Sequence, residues 1–412
     1  MPGESAFTRA ARRIEALEPE MVAFQSALTA LPALSPQSGG EGEWDKALFI
    51  QEALARFGIS RIERIDAPDA RVKNGARPNL VATLPGRRRD AFWIMAHMDV
   101  VPPGERSLWK TDPWTAVVEE GRIYGRGTED NQQGLTAAVF AARALTEEGI
   151  LPGRNLRLLF CADEESNSVY GLQYILAHHR GRFSESDLIL APDWGSPDGS
   201  RIEIAEKGML WLRFTTHGMQ CHASRPDKGV NAFRAASDLV VRLNGLHERF
   251  PASDPLFEPR ASTFEPTMKE PNVSNLNTIP GKDVFYFDCR VMPAYDTDAI
   301  LKAAQEIARS VEEEHGVTIE LSTEVRMEAP APTPGDAAIV RGLVRAVEEV
   351  HGLTPSLSGI GGNTVAGFFR AAGLPAAVWS TMDGTAHQPN EYTVIANMVR
   401  DAKVFAHLAL EA

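Results

Sequence analysis

The chain has 412 residues, more than a usual single domain, and 43% of them are hydrophobic, enough to bury a sizeable core and to exclude wholesale disorder. A formal net charge of -13 is wrong for a nucleic-acid surface, which needs a basic face. The same charge means that an anionic substrate must be held by local cations or backbone N–H groups against the overall field. Cys161, Cys221 and Cys289 have neither paired nor metal-type spacing and are expected as free thiols in a reducing compartment. The opening MPGESAFTRAARRIEALEPEM carries charges throughout, unlike a signal peptide, and no uncharged apolar run is long enough to span a bilayer. The cytoplasm is the expected location, with neither membrane nor nucleic acid as partner.

In chain order, residues 6–30 and 44–57 have helical apolar spacing, separated by the breaker-rich LPALSPQSGGEGEW. Strands are predicted at 79–84, 91–98, 156–162 and 188–191, with helices from about Gly134 to Glu148 and near 169–179. That alternation predicts an α/β layer fold with a largely parallel, helix-flanked sheet. In such sheets functional groups collect beyond the carboxyl ends of the strands.

From about Met209 the pattern changes to strand (209–217), helix (230–248), strands (260–268, 273–279 and 283–292), helix (297–314) and strand (317–324). This block has the order of a split βαβ, ferredoxin-like α+β layer. The Pro-rich stretch at 328–336 then leads into a helix at 337–350 and a last strand, AAVWST. The expected organisation is a discontinuous catalytic domain, 1–208 and 325–412, with an inserted domain at 209–324.

Acidic and histidine side chains punctuate this pattern. His97 closes the run AFWIMA, Asp130 ends YGRGTED, Glu164-Glu165 follows LRLLFCAD, Asp193 follows LILAP, and His387 lies in GTAHQPNEY. All are hard or borderline ligands, suited to divalent zinc, cobalt or manganese. A hydrolytic centre of two ions needs a bridging carboxylate, terminal ligands and a base for the shared water. Neighbours leaving a strand point in different directions, so Glu164 and Glu165 can divide the tasks of base and ligand. Asp99, two residues after His97, suits a carboxylate fixing the imidazole tautomer.

These segments resemble the zinc-dependent family that contains acetylornithine deacetylase, succinyl-diaminopimelate desuccinylase, aminoacylase and glutamate carboxypeptidase. The resemblance runs from SPQSGGEGE through AHMDVVPPG, YGRGTEDNQQG, CADEES, APD and HASRPDKGVNA to AHQPNEY. It implies two zinc ions, with cobalt or manganese as substitutes, and makes Asp130 the bridging ligand. His97 and Asp193 would complete one ion site, and Glu165 and His387 the other. Glu164 would be general base and then acid, Asp99 would orient His97, and the Asp130–Asn131 peptide would be cis. DNQQG departs from the Asp-x-Lys-Gly-Gly run of many relatives, a change expected to bear on substrate contacts.

For an anionic substrate, the resemblance implies that Arg290 pairs with a carboxylate, supported by the loop around Gly361 and Gly362. Asn275 and His222 would reach a neighbouring active site across a homodimer formed through the inserted domain, His222 stabilising an oxyanion. The expected reaction is hydrolysis of the amide of a small N-acyl amino acid, of the succinyl-diaminopimelate desuccinylase or acetylornithine deacetylase type. A metallo-dipeptidase or carboxypeptidase would use the same centre. A non-catalytic binder on this fold would be expected to have lost Glu164 or a ligand, and none is missing.

Overall fold

A computed structural model describes residues 4–411 as two compact units. The first comprises the described residues up to Ile204, then Thr333–Leu357, and the chain from Thr364 onward. The second is Ala205–Pro332 together with Ser358–Asn363.

An eight-stranded sheet dominates the first unit. Its order is Ile62–Pro68, Ala76–Leu84, Asn155–Cys161, Ala91–His97, Leu188–Ala191, Ala376–Val378, Arg201–Glu206 and Ser356–Ile360. The centre is parallel: Ala91–His97 pairs in parallel with both Asn155–Cys161 and Leu188–Ala191, and Leu188–Ala191 with Ala376–Val378. Antiparallel strands flank it, Ile62–Pro68 on Ala76–Leu84 among them. All seven residues of AFWIMAH are buried, because a central strand covered on both faces by helices has no solvent side. Trp93, Leu159, Ile189, Phe369 and Val378 form the core of one such layer.

Local differences from the predicted elements have local causes. The helix expected over 6–30 divides at Leu17 into Ala6–Ala16 and Glu18–Thr29, where Pro19 stands in the first turn of the second helix. Strand Ile62–Pro68 is masked in the sequence by its charges: its residues IERIDAP serve an edge, half open to water. The stretch 273–279 supplies only Thr278–Ile279, paired with Cys221–His222 in a separate two-stranded ladder. Among the described residues no helix is long and apolar enough to cross a membrane.

The second unit is a four-stranded antiparallel sheet in the order Thr263–Lys269, Lys282–Val291, Gly208–His217, Thr318–Met327. Helices Ala232–Leu243 and Thr297–His315 pack on one face through Leu210, Leu212, Phe214, Phe287 and Ile300. The limits expected for the insertion, 209–324, differ from those of this unit for two physical reasons. Ala205 clusters with Phe257 and Met292. The Gly359–Gly362 loop is also tied here, through Lys207 N–H to the Ile360 carbonyl and Arg290 to the Gly361 carbonyl at 3.2 Å.

Candidate metal centre

Three chain segments of the first unit end at one place. His97 terminates the central strand, its ring held by the register that sets His97 beside Cys161. Glu164 and Glu165 open a short turn after the neighbouring strand Asn155–Cys161, and Asp193 follows Leu188–Ala191. Asp130 lies in the irregular turn Thr128–Gln133, and the Asp130–Asn131 peptide is cis, as the resemblance implied. His387 comes from a loop near the C-terminus, at a positive φ of 63°.

The two oxygens of Asp130 face different histidines. Oδ1 lies 2.9 Å from His97 Nε2 and Oδ2 lies 3.3 Å from His387 Nε2. His97 Nε2 is also 3.4 Å from Asp193 and 4.0 Å from Glu164, while His387 Nε2 is 3.1 Å from Glu165. Ligand atoms of His97, Glu164 and Asp193 fall within one ion-sized cluster, and those of His97, Asp130 and Glu165 within another. By these distances Glu164 is close enough to act as a ligand as well as a base. The ring distances nonetheless group His387 with Glu165 and leave Asp130 between the two imidazoles.

Four carboxylates so close together repel one another, and protons substitute for cations. Burial, and then the charge of Asp193, pushes the Glu164 carboxyl well above the usual carboxylate range. Burial and the charge of Asp130 raise Glu165 to about 7. Hydrogen bonds to Asp130 and Glu165 raise His387 to about 10. Burial opposes protonation of His97, but hydrogen bonds to Asp130 and Asp193 outweigh it and push the ring well above the usual imidazole range. Oxygen and imidazole donors around an excess of negative charge, with one carboxylate facing two ways, fit a pair of divalent ions.

Asp99 corrects one expectation. His97 Nδ1 is 3.0 Å from the Asp99 backbone carbonyl but 3.6 Å from its carboxylate, too far for a good hydrogen bond. The carbonyl therefore fixes the tautomer. The carboxylate instead accepts the N–H groups of Glu164 and Glu165, each at 3.0 Å, and so holds the glutamate turn. Asn131 positions Asp193 in a similar way, donating to its Oδ1 at 2.6 Å.

The glutamines of DNQQG turn into the protein. Gln132 accepts from Thr29 at 2.8 Å, and Gln133 donates to the Thr381 carbonyl and to Asp401. Both are buried anchors of the turn.

Two carboxylates that sequence reasoning missed brace the centre. Glu391 accepts from Arg126 and from the N–H groups of Gly127, Glu129 and Asp130 at 2.7–3.0 Å, clamping the Asp130 turn. Gly127 is required there: its φ is +80°, and a Cβ would lie 2.4 Å from Val100. Glu129 reaches the other way and accepts from the backbone of Asp383, Gly384, Thr385 and Ala386. The only signal is acidity, Glu129 beside Asp130 and Glu391 in PNEY, which surface glutamates share.

The remaining predicted residues belong to the second unit. His222 is exposed, and its Nδ1 accepts from the Ser224 N–H and hydroxyl at 3.1 and 2.8 Å, which leaves Nε2 as the free N–H. Arg290 is held by Asp288 at 2.9 Å and by the Gly361 carbonyl. Asn275 donates to Asn277 at 2.7 Å. A side chain at Gly361 or Gly362 would meet no atom within 4 Å, so close packing does not explain those glycines.

Comparison with known proteins agrees with this geometry. Residues 93–411 match Peptidase family M20/M25/M40. An uncharacterized metallohydrolase of Methanocaldococcus jannaschii is 38% identical over 400 residues, 94% of this chain and 98% of the relative. A succinyl-diaminopimelate desuccinylase of Nautilia profundicola is 27% identical over 93% of this chain and 97% of its own length. Among solved structures, a dinuclear metal binding peptidase from Bacillus subtilis shares the fold with a TM-score of 0.67 at 15% identity, covering 96% of this chain and 98% of its own.

Proposed function

The chain belongs to Peptidase family M20/M25/M40 and is a metal-dependent hydrolase, and from that premise we propose that it cleaves the amide bond of a small N-acyl amino acid. The reading rests on one observation above all, the Asp130 carboxylate turned with one oxygen to His97 and the other to His387. His97, Asp193 and Asp130 would hold one divalent ion, and Asp130, Glu165 and His387 a second, zinc being the first choice and cobalt or manganese the substitutes. When bound, such ions polarise a carbonyl and make a water more acidic.

The chain's own groups do the rest. Glu164 has a buried carboxyl with a raised proton affinity, suited to taking the proton of the attacking water and delivering it to the leaving amine. Asp99 and Asn131 hold the glutamate turn and Asp193 in place. His222, with its free Nε2–H, is the donor for the developing oxyanion, acting across a homodimer built through the second unit. Arg290 would receive the substrate carboxylate beside the Gly361–Gly362 loop, and Asn275, like His222, would reach the neighbouring active site. The desuccinylase or acetylornithine deacetylase type is favoured because a named desuccinylase is similar over nearly the whole chain. Free cysteines accord with a cytoplasmic setting. A dipeptidase or carboxypeptidase with the same centre is the second reading, suggested by the peptidase fold neighbour.

A panel of N-succinyl, N-acetyl and dipeptide substrates, assayed with added zinc, cobalt or manganese, tests this. The expected result is activity that chelation abolishes and metal restores, highest on an N-acyl amino acid. Full turnover after exhaustive metal removal would sink the two-ion reading, and a preference for free dipeptides would favour the second one.

A further inference from the structure

His387 differs from every other ligand candidate in how little holds it. Its side chain is 56% exposed, whereas that of His97 is 1% exposed. Packing therefore cannot set its position. Its backbone is at positive φ, at the end of the loop Asp383–Ala386.

Among the described residues, the hydrogen bonds that tie this loop to parts of its unit outside its own segment all go to one side chain. The Glu129 carboxylate accepts from Asp383 N at 2.7 Å, Gly384 N at 3.1 Å, Ala386 N at 3.0 Å, the Thr385 hydroxyl at 2.9 Å, and Thr385 N. The other hydrogen bonds of these four residues go to Gln388 and Tyr392, a few positions along the same segment. Glu129 is also the residue before Asp130, the carboxylate whose second oxygen faces His387. One peptide thus carries both the shared ligand and the group that holds the loop opposite it.

We infer that Glu129 is the positioning residue for His387, and that it makes the Glu165–His387 position the more easily emptied of the two ion positions. The inference rests on the two-ion reading above. Physically, four converging N–H groups and a hydroxyl need an acceptor on both oxygens. A carboxylate supplies it, and an amide of the same size does not, because one end then presents N–H to N–H. The loss acts on the His387 loop, while His97 and Asp193, held at strand ends, keep their places.

The test compares the full-length chain with Glu129→Gln, Thr385→Ala, His387→Ala and the double variant Glu129→Gln/His387→Ala. Bound zinc per chain is measured by elemental analysis after dialysis against graded chelator, and the cobalt-loaded forms by visible absorption. Thermal melting of the chelated chains reports on the fold. We expect Glu129→Gln to weaken one ion by about 100-fold and leave the other unchanged, and to give the cobalt spectrum of His387→Ala. Thr385→Ala, which removes the hydroxyl and its neighbouring methyl but keeps every backbone N–H donor and is the safer variant for folding, should weaken the same ion by about tenfold. The double variant should lose no more than His387→Ala alone, since both substitutions act on one ligand. A general structural role would instead lower the melting temperature of the chelated chain and loosen both ions together, which overturns the inference. So would wild-type affinity for both ions in Glu129→Gln and Thr385→Ala. A wild-type chain that never holds a second ion overturns the two-ion reading itself, an outcome distinct from either.

Discussion

The two histidines of the centre reach the same Asp130 carboxylate by opposite routes. His97 ends a strand buried on both faces, and its ring inherits its place from the sheet register. His387 stands on a half-exposed loop at a strained backbone angle and depends on hydrogen bonds converging on a glutamate far away in sequence. Packed side chains are positioned by many small contacts, so no single neighbour decides. A loop ligand has few contacts, and each counts for more. The centre is therefore rigid on one side and dependent on one carboxylate on the other.

Four measurements would break or sharpen that contrast. The largest effect is expected at Glu164, which shares the rigid side with His97. Glu164→Gln should slow turnover by about 100- to 10,000-fold while both ions remain, because an amide cannot accept the water's proton. Glu165→Gln should instead release the ion shared with His387. Equal metal loss in the two variants would show that the glutamates do not divide the work.

A third histidine, His222, tests the proposal that chemistry draws on the second unit. His222→Ala should cost about 100- to 1000-fold in turnover with metal content intact, the usual loss of an oxyanion donor. Mixing that variant with Glu164→Ala chains should restore activity after subunit exchange, since one site then has both groups. Heterodimers that form and stay inactive would exclude action across the interface.

Stability of the ion-free chain should separate His97 from His387 directly. His97→Ala leaves buried carboxylates without their cation and is expected to cost about 3–5 kcal/mol. His387→Ala, at a half-exposed site where solvent screens its pairing with Asp130 and Glu165, should cost less. Equal losses in denaturant titrations would mean that His387 is held by more than its loop.

The smallest effect is in pH. Because His387 titrates near 10 without an ion, its ring is protonated at neutral pH, and binding must expel that proton. Zinc affinity at the Glu165–His387 position should therefore rise by about tenfold per pH unit below pH 10. The slope should steepen below pH 7, where Glu165, raised by burial and by Asp130, also holds a proton. Removing His387 should flatten the upper part of the curve. Affinity independent of pH would contradict the proton displacement.

Much of this centre is legible in the residues alone. The ligand candidates after 91–98, 156–162 and 188–191 announce themselves because a buried strand demands an apolar run, and a charged or imidazole group at its end marks the exit to solvent. The braces are not legible. Glu129 meets its partners at sequence separations of 254–257 residues, and nothing in the residue type separates it from a solvated glutamate. The anchoring by Gln132 and Gln133 is illegible for the same reason, since a glutamine facing Thr29 or Asp401 looks in sequence like any other. The unit boundary differs because Ala205 and the Gly359–Gly362 loop are claimed by contacts with Phe257, Lys207 and Arg290, which no local pattern reveals.

By itself the sequence determined which chemical groups are available and which of them leave the core at strand ends, since both follow from residue type and local periodicity. Only the tertiary structure decided that one oxygen of Asp130 faces His97 and the other His387, that the carbonyl and not the carboxylate of Asp99 holds the ring, and that Glu129 carries the His387 loop. Hydrogen bonds act within about 3 Å and depend on angle, so their pairing is set when distant segments pack together and is not encoded in the neighbours of either partner.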